Sequence, residues 1–391
     1  MVRTRRCVVI GAGLLGLSAA WSLSRRGWSV HVLEAAGAVG HPLSGSKGDA
    51  RIFRLGYREP RYVEMAVAAR ARWRELEDIA ERTLLHETGQ LSFGHADEID
   101  AVANALTRQG QPNERLTTEE AATRCPGVSI DGPGPALFEP ASGVLVADAC
   151  LEAFRVTGAF DVEPRCTVTE VLSSPEGAVV RCADGRIFDA EVAVDCAGPR
   201  ALALLSDARP QAIVAPPSLP QVAYFRPAAL GGTDATRLPV FIEWSDAMVY
   251  GLPVLGSGVH AGTFKVSHHT PGPSFDGYDP AAQPPLGGEL DDPALLAVLI
   301  DAVRRLLPGL DPTPVATERC VYDNSVDADF VLDRIGNVVV GCGTSGHGFK
   351  FGPLFGELLA DLADGTTPPI DLRPFRLDRA PSTDQRDTAS R

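Results

Sequence analysis

Cys7 to Glu34 reads CVVIGAGLLGLSAAWSLSRRGWSVHVLE, and the way these residues fold decides how the rest of the chain can be arranged. Cys7 to Ile10 is a short apolar run that predicts a buried strand. Gly11, Gly13 and Gly16 follow in the spacing G-x-G-x-x-G. Leu14 to Arg26 carries apolar residues at helical period until Gly27, and Ser29 to Leu33 reads as a second buried strand ending on Glu34. Strand, glycine turn, helix, strand and acid in this order suit a pyrophosphate. The glycines let backbone N–H groups approach the phosphates, the helix N-terminus adds partial positive charge, and the acid accepts hydrogen bonds from an adenosine ribose. The stretch alone leaves NAD, NADP and FAD open, although a carboxylate at Glu34 argues against a 2′-phosphate.

Working outward, 391 residues with 45% apolar and 22% charged side chains are enough for two domains of ordinary globular composition. A net charge of −14 argues against a nucleic-acid surface, which needs a basic face. No apolar run approaches the roughly 20 residues of a membrane span. Arg3, Arg5 and Arg6 do not open a signal peptide, because the glycines cut the following apolar run at once. Eight cysteines, scattered and without a C-x-x-C, give neither a disulfide scaffold nor a zinc site. The expectation is a cytoplasmic monomer with mostly buried thiols, no nucleic-acid partner and no membrane partner.

After Glu34 the segment GAVGHPLSGSKGDARIFRLGYREP is polar and irregular, yet it carries Lys47, Arg51, Arg54, Arg58 and Arg61 in an otherwise acidic chain. It is either a solvated loop or a wall of the cofactor site. Pro60 suits the first turn of a helix from Arg61 to Arg82. Strand Gln90 to Gly94, helix Glu98 to Arg108, a helix start at Thr117 and Thr118, two strands within Ala136 to Leu145 and a helix from Ala149 to Thr157 follow. Val162 to Asp195 predicts a β-meander with a turn at Asp184-Gly185, and Ala190 to Cys196 a buried strand that brings Ala197-Gly198 near the cofactor. Pro210 to Pro220 reads as a crossover. Gln221 to Arg226, Val240 to Trp244, Met248 to Pro253 and Val259 to His269 are strands of an antiparallel sheet. In the last of them period two sets Lys265, Ser267 and His269 on one face and Phe264, Val266 and His268 on the other. Pro293 to Leu307 is helical, Cys320 to Leu332 and Asn337 to Gly341 return to strand, Gly356 to Ala363 is a helix, and Ala380 to Arg391 is expected to be disordered.

The loop CGTSGHGFKFGP, with four glycines, His347 and Lys350, lets backbone approach something flat or charged. Here the sequence resembles the monomeric sarcosine oxidase and N-methyltryptophan oxidase family of flavin amine oxidases. GAGLLGLSAAWSLSRRG, GDARIFR, FEPASGVL, the strands around MVYG and TFKVSHHT, RCVYDNSVDADFVLD and SGHGFKFGP match in order over nearly the whole chain. The resemblance implies FAD, covalently bonded through Cys320 to the 8α carbon of the ring. It implies that Lys265 activates O2 by a fixed positive charge and that Arg54 and Lys350 hold a substrate carboxylate. Arg51 lies near the flavin, Tyr250 and His269 line the substrate pocket, and Gly346, His347 and Gly348 run near the pyrimidine end. The sequence departs from the family at Lys47, where members commonly have histidine, in a longer turn between Tyr250 and Lys265, and in VYD after Cys320.

The expected architecture is α/β: a Rossmann-type FAD-binding domain (residues 1–87, 151–212 and 320–375) interleaved with a substrate domain on an antiparallel sheet (88–150 and 213–319). The expected activity is oxidation of a secondary, N-methyl or cyclic amino acid to an imine, with O2 reduced to H2O2. A flavin dehydrogenase or desaturase tailoring an amino-acid-derived intermediate keeps the same fold but hands its electrons elsewhere, and Lys265 argues for the oxidase. A non-catalytic flavoprotein is disfavoured by Lys265, Arg54 and Lys350 together.

Overall fold

The computed structural model describes the chain except residues 1–3, 42–43, 131–133, 206–212, 230, 271, 276–290 and 382–391. Most of the expected tail and the first residues of the expected crossover thus lie outside the described residues. Arg6–Ile10 is the hub of a six-stranded sheet, paired in parallel with Ser29–Leu33 on one side and Val192–Asp195 on the other. Phe160–Glu163 extends the first side, and Val338–Cys342 and then the antiparallel Val331–Ile335 extend the second. Apolar residues on both strand faces explain why the sheet is covered twice. Val9, Val32, Val194 and Val339 pack with helices Leu14–Arg25 and Gly352–Asp364, while Val8, Ile10, Ala193 and Val340 pack with the meander Val168–Ser174, Gly177–Cys182 and Ile187–Ala190. The meander is therefore shorter than the run Val162 to Asp195 suggests, since the flanking strands belong to the parallel sheet.

The second sheet has eight strands, in the order Ala316–Arg319, Gln221–Phe225, Phe264–His268, Val249–Pro253, Val240–Trp244, Gln90–Gly94, Ala136–Glu139, Glu114–Leu116. Its neighbours are antiparallel except where Val240–Trp244 meets Gln90–Gly94 in parallel, a step the sequence reading did not contain. One face buries Phe93, Phe225, Phe241, Phe264 and Val266 against helix Pro293–Leu306, which Asp292 caps by accepting from the N–H groups of Ala294 and Leu295. The opposite face carries Tyr224, Tyr250, Leu252 and Lys265. Val259 is 93% exposed, because the expected strand from Val259 starts only at Phe264. Cys320 to Leu332 is likewise broken, into Tyr322–Ser325 and Val331–Ile335. The two strands within Ala136 to Leu145 enter different sheets, Ala136–Glu139 this one and Gly143–Val146 a three-stranded sheet with Ala50–Phe53 and Leu85–His86.

Candidate active site

The hub strand ends at a cavity that continues over the inner face of the eight-stranded sheet. Its wall includes Gly11, Gly13, Glu34, Ala197 and Gly198, and also Arg51, Arg54, Tyr250, Lys265, His269, Cys320, Gly346, His347, Gly348 and Lys350. Such a position, outside the carboxyl ends of parallel strands, is where open α/β sheets bind ligands. Two sequence candidates are absent from the wall: Gly16 and Lys47. A Cβ at Gly16 would lie 1.8 Å from the Gly11 carbonyl oxygen, so this glycine serves the contact between helix and turn. The Lys47 ammonium faces Glu318 at 3.9 Å. His268, expected on the opposite face from Lys265, joins the wall because strand alternation ends there.

At the hub end the site is made of backbone. Gly11 has φ +92°, and a Cβ there would sit 2.6 Å from the Cys196 carbonyl oxygen. Gly13 caps Leu14–Arg25 without a side-chain hydrogen bond. The Glu34 carboxylate is held in place by the N–H of Ala12 at 2.7 Å and of Ala36 at 2.8 Å. Asp195 lies beneath the neighbouring loop and accepts the Ala197 N–H at 3.2 Å; burial pushes its carboxyl up to about 8. Close backbone, a helix N-terminus and an oriented acid fit the AMP half of a dinucleotide.

At the sheet end the site is made of buried side chains. The Arg51 guanidinium donates to the carbonyls of Ala50 at 3.0 Å, Gly45 at 3.1 Å and Lys47, which fixes the cationic loop. Gly346 has φ +78°, and a Cβ on it would meet the Tyr322 ring at 2.2 Å, so the glycine-dense loop packs directly on that tyrosine. His347 donates from Nε2 to the Ala328 carbonyl at 3.0 Å, and Lys350 Nζ donates to the His347 carbonyl at 2.7 Å. Two cations converge on Tyr57: the Arg54 guanidinium carbon is 4.3 Å from its ring centre and Lys350 Nζ 5.5 Å. Burial, then Arg54, holds the Lys350 ammonium well below its usual range. Burial, then Arg54 and Lys350, push His269 down to about 3, so it is neutral at pH 7. Its ring packs against Tyr250 at 5.3 Å and Trp244 at 5.6 Å. Burial, then Arg51, lower the Lys265 ammonium to about 8.

The sequence reading missed Tyr322 and Trp244. Tyr322 hydrogen-bonds Tyr250 and shares the cavity wall with it. Its place two residues beyond Cys320, on the same side of an extended segment, was the available signal. A compositional signal also went unused. Only three of the chain's 36 Lys and Arg residues are lysines, and all three, Lys47, Lys265 and Lys350, have little exposure and cluster at this end.

A nucleotide cradle joined to a cationic, aromatic-lined pocket defines a flavin-dependent enzyme, and comparison with known proteins agrees. The chain matches the FAD dependent oxidoreductase family over residues 6–362 and belongs to it. It is 32% identical to the peroxisomal sarcosine oxidase of Homo sapiens, covering 96% of each chain. It is 28% identical to the monomeric sarcosine oxidase of Bacillus sp. (strain B-0618), covering 95% of each. Among solved structures, the open form of NikD, an unusual amino acid oxidase essential for nikkomycin biosynthesis, superposes with a TM-score of 0.78 at 24% identity, over 95% of this chain and 98% of that one. Among the described residues, no cluster of His, Cys, Asp and Glu could hold a metal, and no helix is long and apolar enough to cross a membrane.

Proposed function

We propose that this chain is a monomeric FAD-dependent oxidase of amino acids whose nitrogen is secondary, N-methyl or part of a ring, forming an imine and H2O2. The observation that carries the reading is the buried pair Arg54 and Lys350 beside an uncharged His269, in the same cavity as Gly11 and Glu34. FAD held there would supply the two-electron acceptor for the C–H bond beside the amine, with O2 as the final oxidant. Arg54 and Lys350 bind the substrate carboxylate, the first through its planar fork and the second as a point charge. His269, being neutral, adds no further positive charge beside that pair, and Tyr250 and Tyr322 give the amine an aromatic wall. Lys265 supplies a positive charge where negative charge develops on O2. Cys320, 8% exposed on the cavity wall, offers its sulfur for a thioether to the ring. Gly346, His347 and Gly348, on the same wall, would hold the ring with backbone and imidazole.

The test is to add N-methyl and cyclic amino acids to the holoenzyme without oxygen and then admit O2. The reading expects the yellow colour to bleach with at least one such substrate and to return with one H2O2 per substrate consumed. Bleaching by none of them, or return of colour only with an added dye, would overturn it. Covalent attachment is checked by acid precipitation, which should leave the yellow colour in the protein pellet and release it from Cys320→Ser.

A further inference from the structure

Two departures noted in the sequence, Lys47 and the long turn between Tyr250 and Lys265, meet in space. The turn after Val249–Pro253 folds back on the loop that carries Lys47. The His260 N–H donates to Asp49 Oδ2 at 2.8 Å, and a Cβ on Gly258 would lie 2.2 Å from Asp49 Oδ1. This brings His260 to Glu318, where its Nε2–H donates to Oε1 at 3.1 Å. The Tyr224 hydroxyl donates to Glu318 Oε2 at 3.1 Å, and the Tyr224 and His260 rings stack 3.8 Å apart. Lys47 Nζ stands 3.9 Å from the same oxygen. Tyr224 is the direct cross-strand partner of Lys265, and Glu318 lies on the next strand, diagonal to Tyr224 on the same face. Glu318 thus lies one strand beyond Tyr224 from Lys265, on the same face of the sheet, with three groups fixing its carboxylate.

We propose that Glu318 is the counter-ion of Lys265: a positioning residue that keeps the ammonium charged for the half-reaction with O2, and is itself held by His260, Tyr224 and Lys47. The inference rests on the oxidase reading of Lys265. Arg51 and Lys47 disfavour its charge, Glu318 favours it, and Tyr224 on the neighbouring strand is driven towards its neutral form by burial. A thioether at Cys320 would carry no charge, whereas the Glu318 carboxylate carries one. Burial tends to raise the Glu318 carboxyl, but Lys47, His260 and Tyr224 outweigh it and hold the group below its ordinary range. It is therefore ionised wherever Lys265 titrates.

The three-lysine composition allows a direct test. Holoenzyme labelled with 13C at lysine Cε should give three resonances, assigned with Lys47→Arg, Lys265→Met and Lys350→Arg. In Glu318→Gln the Lys265 midpoint should fall by about one unit, and reoxidation by O2 should slow about fivefold near pH 8 while staying unchanged near pH 6. Glu318→Asp should restore most of both. Lys47→Met, which leaves the carboxylate in place, should move the midpoint upward, and the double variant Lys47→Met/Glu318→Gln, whose midpoint should lie below that of Lys47→Met, decides the matter if Glu318→Gln alone does not load flavin. A Lys265 midpoint unmoved by Glu318→Gln, or equal in Lys47→Met and the double variant where that pair decides, overturns the counter-ion role. A midpoint that falls without any change in the pH dependence of reoxidation overturns its link to O2. Normal reoxidation in Lys265→Met would instead sink the oxygen reading of Lys265 itself, separately from the ion pair.

Discussion

The two ends of the cavity are built in opposite ways. At the hub end a single stretch, Cys7 to Glu34, supplies nearly everything, and what it supplies is backbone: close-packed glycines, a helix start and one acid held by two N–H groups. At the sheet end Arg54, Lys265, His269, Cys320 and Lys350 arrive from four separate segments, and what they supply is side chains, with the charges of Arg54, Lys265 and Lys350 buried to a few per cent exposure. The difference has an energetic side. Backbone that the fold must hydrogen-bond anyway costs little to aim at a ligand, whereas a buried ammonium or guanidinium is carried at a loss until a partner arrives.

Substitutions can break this comparison, and the largest effect falls on the sheet end's charges. Arg54→Ala should weaken a carboxylate-bearing competitive inhibitor by ~3 kcal/mol, more than a hundredfold in Kd, because a buried partner for an anion is lost. Arg54→Lys should recover only part of this, since the fork is gone. Titration calorimetry on the oxidised holoenzyme reads both, and unchanged affinity would mean the carboxylate binds elsewhere.

Gly11→Ala places a Cβ 2.6 Å from a backbone oxygen at φ +92° and should cost about 2 kcal/mol, roughly thirtyfold in FAD affinity if the loss falls on the cofactor-bound state. Flavin retained on dilution measures it. Retention equal to wild type would show that the turn can yield.

Lys265→Met should have the opposite sign in stability. Below about pH 8 the folded state holds this ammonium charged in a buried site that disfavours it, so the apo variant should gain roughly 1–2 kcal/mol at pH 7 in urea unfolding. A loss of stability would mean the charge is better compensated than its surroundings indicate.

At neutral pH the smallest effect is that of His269, whose contribution shows in acid stability. His269 is neutral when folded down to about pH 3, while an unfolded histidine protonates near pH 6.5. Its contribution to stability is present above 6.5 and lost as pH falls between those values. His269→Gln should remove about 1.4 kcal/mol per pH unit from the slope in that window, and an unchanged slope would mean the imidazole is already charged when folded.

The same contrast explains what could be read without coordinates. Strand, turn, helix and acid follow one another within 28 residues, so local pattern was enough for the hub end, and Gln90–Gly94 was legible to the residue. The parallel step beside it, between Val240–Trp244 and Gln90–Gly94, was not, because pairing partners so far apart leave no local trace. At the sheet end Lys265 and Cys320 were legible through the family resemblance. The Tyr250–Tyr322 bond and the meeting of His260, Glu318 and Lys47 were not, because they exist only where three chain segments pack together. Gly16 and Lys47 show the converse: a motif residue need not line the cavity its motif builds.

The central claim is that the sheet end divides its charges between two half-reactions, Arg54 and Lys350 serving the substrate and Lys265 serving O2. Stopped-flow absorbance of the flavin in Lys265→Met, reduced anaerobically by substrate and then mixed with O2, tests it most directly. The account predicts reoxidation slowed by about a hundredfold or more with reduction changed less than about tenfold, in line with removal of one preorganised charge. Equal slowing of the two half-reactions, or slowing of reduction alone, would contradict it.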